Sequence, residues 1–125
     1  MLDTITMPRG DLRGVNFTVY DADDAEVSKA FTQITFTVKA TSSERRIIFQ
    51  KKLTDGTITR SGNTYSFEIV PEDTDYIDYG TYLYDIELIR ADTEGKHTDI
   101  VHSTFVGKLI ITDEVTFPHD TEKVV

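Results

Sequence analysis

The chain has 125 residues, 38% hydrophobic and 28% charged, enough for one compact domain with a core and too few for two ordinary ones. Thirteen Lys and Arg against twenty-two Asp and Glu leave a net charge of −9, which repels polyphosphate and anionic lipid, so neither a nucleic-acid nor a membrane partner is expected. The absence of cysteine removes disulfides, thiolate metal sites and cysteine nucleophiles.

In chain order, Met1-Leu2-Asp3-Thr4 has no basic or apolar leader character, so no signal peptide is expected, and no stretch approaches the roughly 20 apolar residues of a spanning helix. Met7-Pro8-Arg9-Gly10-Asp11 contains an Arg-Gly-Asp tripeptide, a weak adhesive signal. The physical reading is that Pro8 and Gly10 break the chain between two strand segments. From Gly14 to Tyr20 the residues Val15, Phe17 and Val19 alternate with Asn16, Thr18 and Tyr20, the pattern of a half-buried strand. Asp21, Asp23, Asp24 and Glu26 then form an acidic loop. Its hard oxygen ligands make it a weak calcium candidate, without the glycine and terminal glutamate of an EF-hand loop, and a solvated hairpin tip is the competing reading.

The next strand alternates Ile34, Phe36 and Val38 with Thr35, Thr37 and Lys39. Arg45 to Leu53 is expected as a strand apolar on both faces through Ile47, Ile48 and Phe49. Turns follow at Thr54-Asp55-Gly56-Thr57 and Ser61-Gly62-Asn63, then a strand presenting Tyr65, Phe67 and Ile69 on one face. Pro71 to Tyr76 carries proline followed by acids, which predicts one short helical turn. Thr81 to Arg90 is a long strand with Tyr82, Tyr84, Ile86 and Leu88 opposite Leu83, Asp85, Glu87 and Ile89. A loop at 91–96 leads to a returning strand near 97–106. Gly107 interrupts the pattern before Leu109-Ile110-Ile111, which predicts a bulge or a switch between sheets.

Seven to nine short strands with turns about every ten residues predict an all-β chain, an antiparallel β-sandwich with a barrel as competitor. Residues 1–112 are expected to form the sandwich and 113–125 a C-terminal tail or extension. The tail offers Val115, Phe117, Val124 and Val125 as candidate assembly anchors. Residues 1–62 sum to +1 and 63–125 to −10, read either as solvated strand faces or as an acidic surface that controls association. Apolar side chains on second faces, Ile47 or Ile48, Leu83, Ile89 and Leu109 or Ile110, are candidates for an association surface.

Catalytic constellations are weak. Asp99, His102 and Ser103 do not share one strand face, so they form no local triad. Asp85 and Glu87 lie about 7 Å apart along one strand, a spacing not foreign to glycosidase acids, but a flat solvated strand gives them neither cleft nor distinct environments. No catalytic residue and no cofactor are expected.

Asp78-Tyr79-Gly80-Thr81-Tyr82 resembles the tyrosine corner of immunoglobulin-like domains, which implies an immunoglobulin-like sandwich with Asp78, Gly80 and Tyr82 at the corner and the Tyr82 hydroxyl bonding upstream backbone. Without a cysteine pair or tryptophan it is not of the antibody type. The ordering of Met7-Pro8-Arg9-Gly10-Asp11, Phe36-Thr37-Val38-Lys39, Lys52-Leu53-Thr54-Asp55-Gly56, Val70-Pro71-Glu72-Asp73-Thr74 and Gly80-Thr81-Tyr82-Leu83-Tyr84 is similar to phage immunoglobulin-like virion domains, such as the N-terminal domain of siphophage baseplate upper proteins. That resemblance implies a non-enzymatic structural or assembly component of a bacteriophage particle: capsid decoration, neck, tail or baseplate. Its location would be the virion, after synthesis in the host cytoplasm, and its partners other virion proteins and copies of itself. The alternative is a host-surface or carbohydrate-binding adhesion module, which requires an exposed aromatic platform such as Tyr76, Tyr79 and Tyr84.

Overall fold

The computed structural model describes residues 2–19, 31–91 and 100–113, with backbone alone at 90, 91 and 100–103. Eight strands are found among them: β1 (Ile5–Pro8), β2 (Arg13–Thr18), β3 (Gln33–Lys39), β4 (Phe49–Lys52), β5 (Ile58–Ser61), β6 (Thr64–Ile69), β7 (Gly80–Ala91) and β8 (Ile100–Thr112), with one helical turn, α1 (Pro71–Thr74), between β6 and β7. They form a five-stranded sheet in the order β1-β8-β7-β3-β4 and a three-stranded sheet in the order β2-β6-β5. With β2, β6 and β5 in the places of strands B, E and D, and β3, β7 and β8 in those of C, F and G, this two-sheet sandwich has a strand order like that of immunoglobulin-like domains, with β4 added beside C. Among the described residues the two sheets are separate ladders, so they close no barrel.

Strict alternation produces the core. Ile34, Phe36 and Val38 of β3 are fully enclosed, and Tyr65, Phe67 and Ile69 of β6 face them from the other sheet. Phe36 is the hub, with its ring 4.4 Å from Phe67, 5.2 Å from Tyr84 and 6.0 Å from Phe49 between centroids. Aromatic area at the centre supplies what an absent cysteine pair and tryptophan supply in antibody domains.

Three expectations are corrected. The sheets are not purely antiparallel, because β1 pairs with β8 in parallel, from Ile5 opposite Leu109 to Pro8 opposite Thr112. The chain enters along the free side of the last strand and crosses to the other sheet at Pro8-Gly10, where Gly10 takes a positive φ of 79°. Arg45 to Leu53 is a strand only from Phe49 to Lys52; Ile48 still reaches the ladder through its N–H to the Val38 carbonyl, 2.8 Å, while Ile47 is exposed. Gly107 makes neither a bulge nor a switch. The β7–β8 register runs without a break through Tyr84 opposite Gly107, so β8 is one 13-residue strand.

The glycine is there for a side chain. A Cβ built on Gly107 would meet the Tyr84 ring at Cζ, stand 2.5 Å from its Oη and 2.6 Å from Cε2. Tyr84 lies across the glycine, packs on Phe36 and donates its hydroxyl to the Asp3 carbonyl at 2.5 Å. An aromatic ring covering a strand glycine replaces the packing that the missing side chain cannot give.

Candidate interaction surface

Segments 9–12, 40–48, 70–79 and 112–113 converge at one end of the sandwich. Register sets this: Pro8 pairs with Thr112, Gly80 with Ile111, Arg13 with Ile69 and Val38 with Phe49. The convergence is organised around α1, whose proline sits at its first turn, where a missing N–H costs nothing. Asp73 accepts from the Val70 N–H at 2.9 Å and thereby caps the turn. The same carboxylate oxygen accepts from Lys51 Nζ at 2.6 Å, with the two side chains only 10% and 15% exposed. Lys51 occupies an inward position of β4, two residues after Phe49, and a lysine there is tolerable only because this carboxylate meets it.

The next residue, Thr74, is fully buried and accepts from the Gly10 N–H through Oγ1 at 2.8 Å. That bond ties the β1–β2 crossover to α1. Arg9 completes the tie: its guanidinium donates to the Ile77 carbonyl at 3.2 Å and to the Tyr79 hydroxyl at 3.1 Å, and lies 4.5 Å from the centre of the Tyr79 ring. The arginine of the Arg-Gly-Asp tripeptide is therefore committed within the domain.

Tyr82, at the start of β7, donates its hydroxyl to the Asp78 carbonyl at 2.7 Å, which is tyrosine-corner geometry. Its ring is half-buried and packs against the core. Burial and the neighbouring Asp78 carboxylate raise its pKa above the usual phenol value. Gly80 beside it has a φ of 143°, a conformation that side chains disfavour. Tyr82→Phe is expected to lower stability by about 1 kcal/mol, because the Asp78 carbonyl loses its donor. Denaturant unfolding with no loss would show that the bond contributes nothing.

Tyr76 is 57% exposed, yet its hydroxyl donates to the Ile48 carbonyl at 2.6 Å. A shallow depression of about 270 Å³ adjoins it, lined by residues that include Glu44, Arg46, Asp78 and Tyr82. Six large apolar side chains are exposed among the described residues, and four of them, Leu12 (62%), Ile47 (45%), Tyr76 and Tyr79 (42%), belong to this end. The other two, Phe105 and Val106, lie along β8. Aromatic groups already held by hydrogen bonds lose little freedom when something covers them.

The other candidates read from the sequence fall elsewhere, and two readings change. Tyr84 is buried in the core, so the three-tyrosine platform does not exist; of the three, Tyr76 and Tyr79 remain exposed. The association face expected on the strands is also not a continuous surface. Leu109 is fully buried, Leu83, Ile89, Ile48 and Ile110 are half-buried, and of this set only Ile47 is open. Thr35, Thr37, Asp85 and Glu87 interleave with the half-buried ones on β3 and β7. The calcium candidates Asp21, Asp23, Asp24 and Glu26, the anchors Val115, Phe117, Val124 and Val125, and Asp99 lie outside the described residues, as do the side chains of His102 and Ser103. Among the described residues no group of three or more metal-ligating side chains is gathered, and no helix is long and apolar enough to cross a membrane.

Asp85 and Glu87 share the outer face of β7, opposite Thr37 and Thr35 of β3. Burial first, and then the Glu87 charge, raise the Asp85 pKa above the ordinary carboxylate value, against the pull of Lys39. A raised native pKa means that the folded state holds the proton more tightly than the unfolded one, so stability falls as pH rises through that window. Asp85→Asn is therefore expected to match the parent in acid and to melt higher at neutral pH. Thermal scans in which the variant's gain does not grow with pH would contradict this.

The roles of Lys51, Asp73, Arg9 and Thr74 were not assigned by sequence pattern. Asp73, three residues after Val70 and two after proline, carried a legible capping signal; the long-range partners of the other three carried none. No protein-family model, curated protein or solved structure matches this chain.

Proposed function

We propose that the chain is a non-enzymatic structural subunit of a bacteriophage particle, present in several copies and held by neighbouring virion proteins. The observation that carries this reading is the apolar end of the sandwich, where Leu12, Ile47, Tyr76 and Tyr79 are exposed on segments tied together by Arg9, Thr74 and Asp73. A partly aromatic surface on segments held by hydrogen bonds suits contact with another protein better than turnover of a small molecule. The ordered motifs that resemble phage immunoglobulin-like domains add to it. So does the acidity of residues 63–125, which opposes association before a specific contact forms.

Mass spectrometry of purified particles tests the proposal. The chain is expected in them at a fixed copy number, and that number separates capsid decoration from neck, tail or baseplate. Its absence from particles would overturn the reading. A second reading, a saccharide-binding adhesion module, is favoured by one observation, the exposed Tyr76 beside a depression lined with Glu44, Arg46 and Asp78. Particles that retain the chain and lose only host adsorption on Tyr76→Ala would support this second role.

A further inference from the structure

We propose that the apolar end of the sandwich is the docking site for the chain's own segment 114–125, with Val115 and Phe117 as the side chains that cover it. This goes beyond the virion reading: a neighbouring virion protein would take the same patch only by displacing the segment.

The last strand delivers the chain to this patch. β8 ends at Thr112, at the same end as the patch, because Thr112 pairs with Pro8 and its carbonyl accepts from the Arg9 N–H at 3.1 Å. Arg9 in turn lies on the Tyr79 ring, and Tyr79 precedes Gly80, which pairs with Ile111. The end of β8 and the nearest exposed aromatic are thus immediate neighbours.

The segment is also long enough. An extended chain advances about 3.3 Å per residue, so Val115 can stand roughly 7 Å and Phe117 roughly 13 Å beyond Asp113. Ile47 follows from the register: its neighbour Ile48 bonds Val38 on β3, which pairs with Tyr84 on β7, the strand next to β8. Ile48 continues the line of β4, three strand spacings or roughly 14 Å from β8. Phe117 therefore extends over Tyr79 toward Ile47, while Pro118 cannot prolong a strand ladder inside a sheet. In sequence the segment offers two apolar side chains within the first four residues and then the polar run His119-Asp120-Thr121-Glu122-Lys123, a pattern suited to laying a short apolar stretch on a surface and returning to water.

A segment tethered this closely competes at an effective concentration in the millimolar range. That favours the chain's own segment over the same segment of a second copy. The patch is also pre-organised for it, since Tyr76 and Tyr79 are held at their hydroxyls before anything binds.

The test uses the full chain. Amide spectra of the ¹⁵N-labelled protein and of Val115→Ser/Phe117→Ser are compared over a tenfold range of protein concentration. The proposal expects shifts concentrated at Leu12, Ile47, Tyr76 and Tyr79, the same at every concentration, together with a rise in anilinonaphthalene sulfonate fluorescence as the patch is uncovered. Ile47→Ser, on the patch itself, is the reciprocal variant and should move the amides of residues 115 and 117; it decides the matter if the double variant loses its fold. Unchanged shifts at the four patch residues, or no response of 115 and 117 to Ile47→Ser, overturn the proposal. Shifts that grow with protein concentration overturn it in favour of a second copy as the occupant.

Discussion

Asp73→Ala is expected to lower the unfolding free energy by about 3 kcal/mol, the lower end of what removal of one partner from a buried ion pair costs. Two losses combine. Lys51 Nζ, 2.6 Å from Asp73 Oδ2 and on a side chain only 10% exposed, is left as an uncompensated charge against the Phe49 ring. The Val70 N–H loses its acceptor as well, and α1 loses its cap. Small domains have about 5–15 kcal/mol in total, so the variant should unfold at markedly lower urea. Lys51→Met is expected to cost less, because its aliphatic stem is replaced and Asp73 keeps the Val70 bond. The double variant should then recover most of the loss. A double-mutant cycle with a coupling well under about 1 kcal/mol would show that the pair is not coupled. The consequence reaches the surface, because α1 also carries Thr74, the anchor of Gly10.

Gly107→Ala is the second large effect, expected at up to about 3 kcal/mol, the range of overpacking in a filled interior. The added methyl overlaps the Tyr84 ring, and the ring has nowhere to go. Phe36 backs it at 5.2 Å, itself fully enclosed, and the hydroxyl is bound to the Asp3 carbonyl. Relief requires β8 to move away from β7, at the centre of the longest ladder in the fold. Tyr84→Leu removes the obstruction, so Gly107→Ala should cost far less in that background. Equal costs in the two backgrounds, measured by urea unfolding, would show that the ring contact is not the cause. Tyr84→Leu should itself destabilise and should loosen the first residues, which the tyrosine holds through Asp3.

These two sites separate what the sequence by itself determined from what tertiary structure decided. Period-two alternation named the core directly: Ile34, Phe36, Val38, Tyr65, Phe67 and Ile69 are all buried, because a half-wet sheet forces polar and apolar side chains onto opposite faces. Local chemistry was equally readable. Pro71 gave a helical turn, Ser61-Gly62-Asn63 a tight turn with Gly62 at a φ of 60°, and the run from Asp78 to Tyr82 a corner whose hydroxyl bond closes over four residues. Each of these depends on neighbours a few positions away, so the sequence carries it in full.

What the sequence could not show was which distant residues would be opposed. Gly107 reads as a break because its partner, Tyr84, is 23 residues earlier in the chain, and only the β7–β8 register places the ring over it. Lys51 reads as surface by residue type and becomes interior because Asp73, 22 residues later, arrives beside it. The parallel seat of β1 on β8, and the gathering of Leu12, Ile47, Tyr76 and Tyr79 at one end, likewise follow from strand order. Sequence patterns report which face a residue takes, whereas a shared surface requires knowing which strands lie side by side, and that is set by the packing of the whole chain.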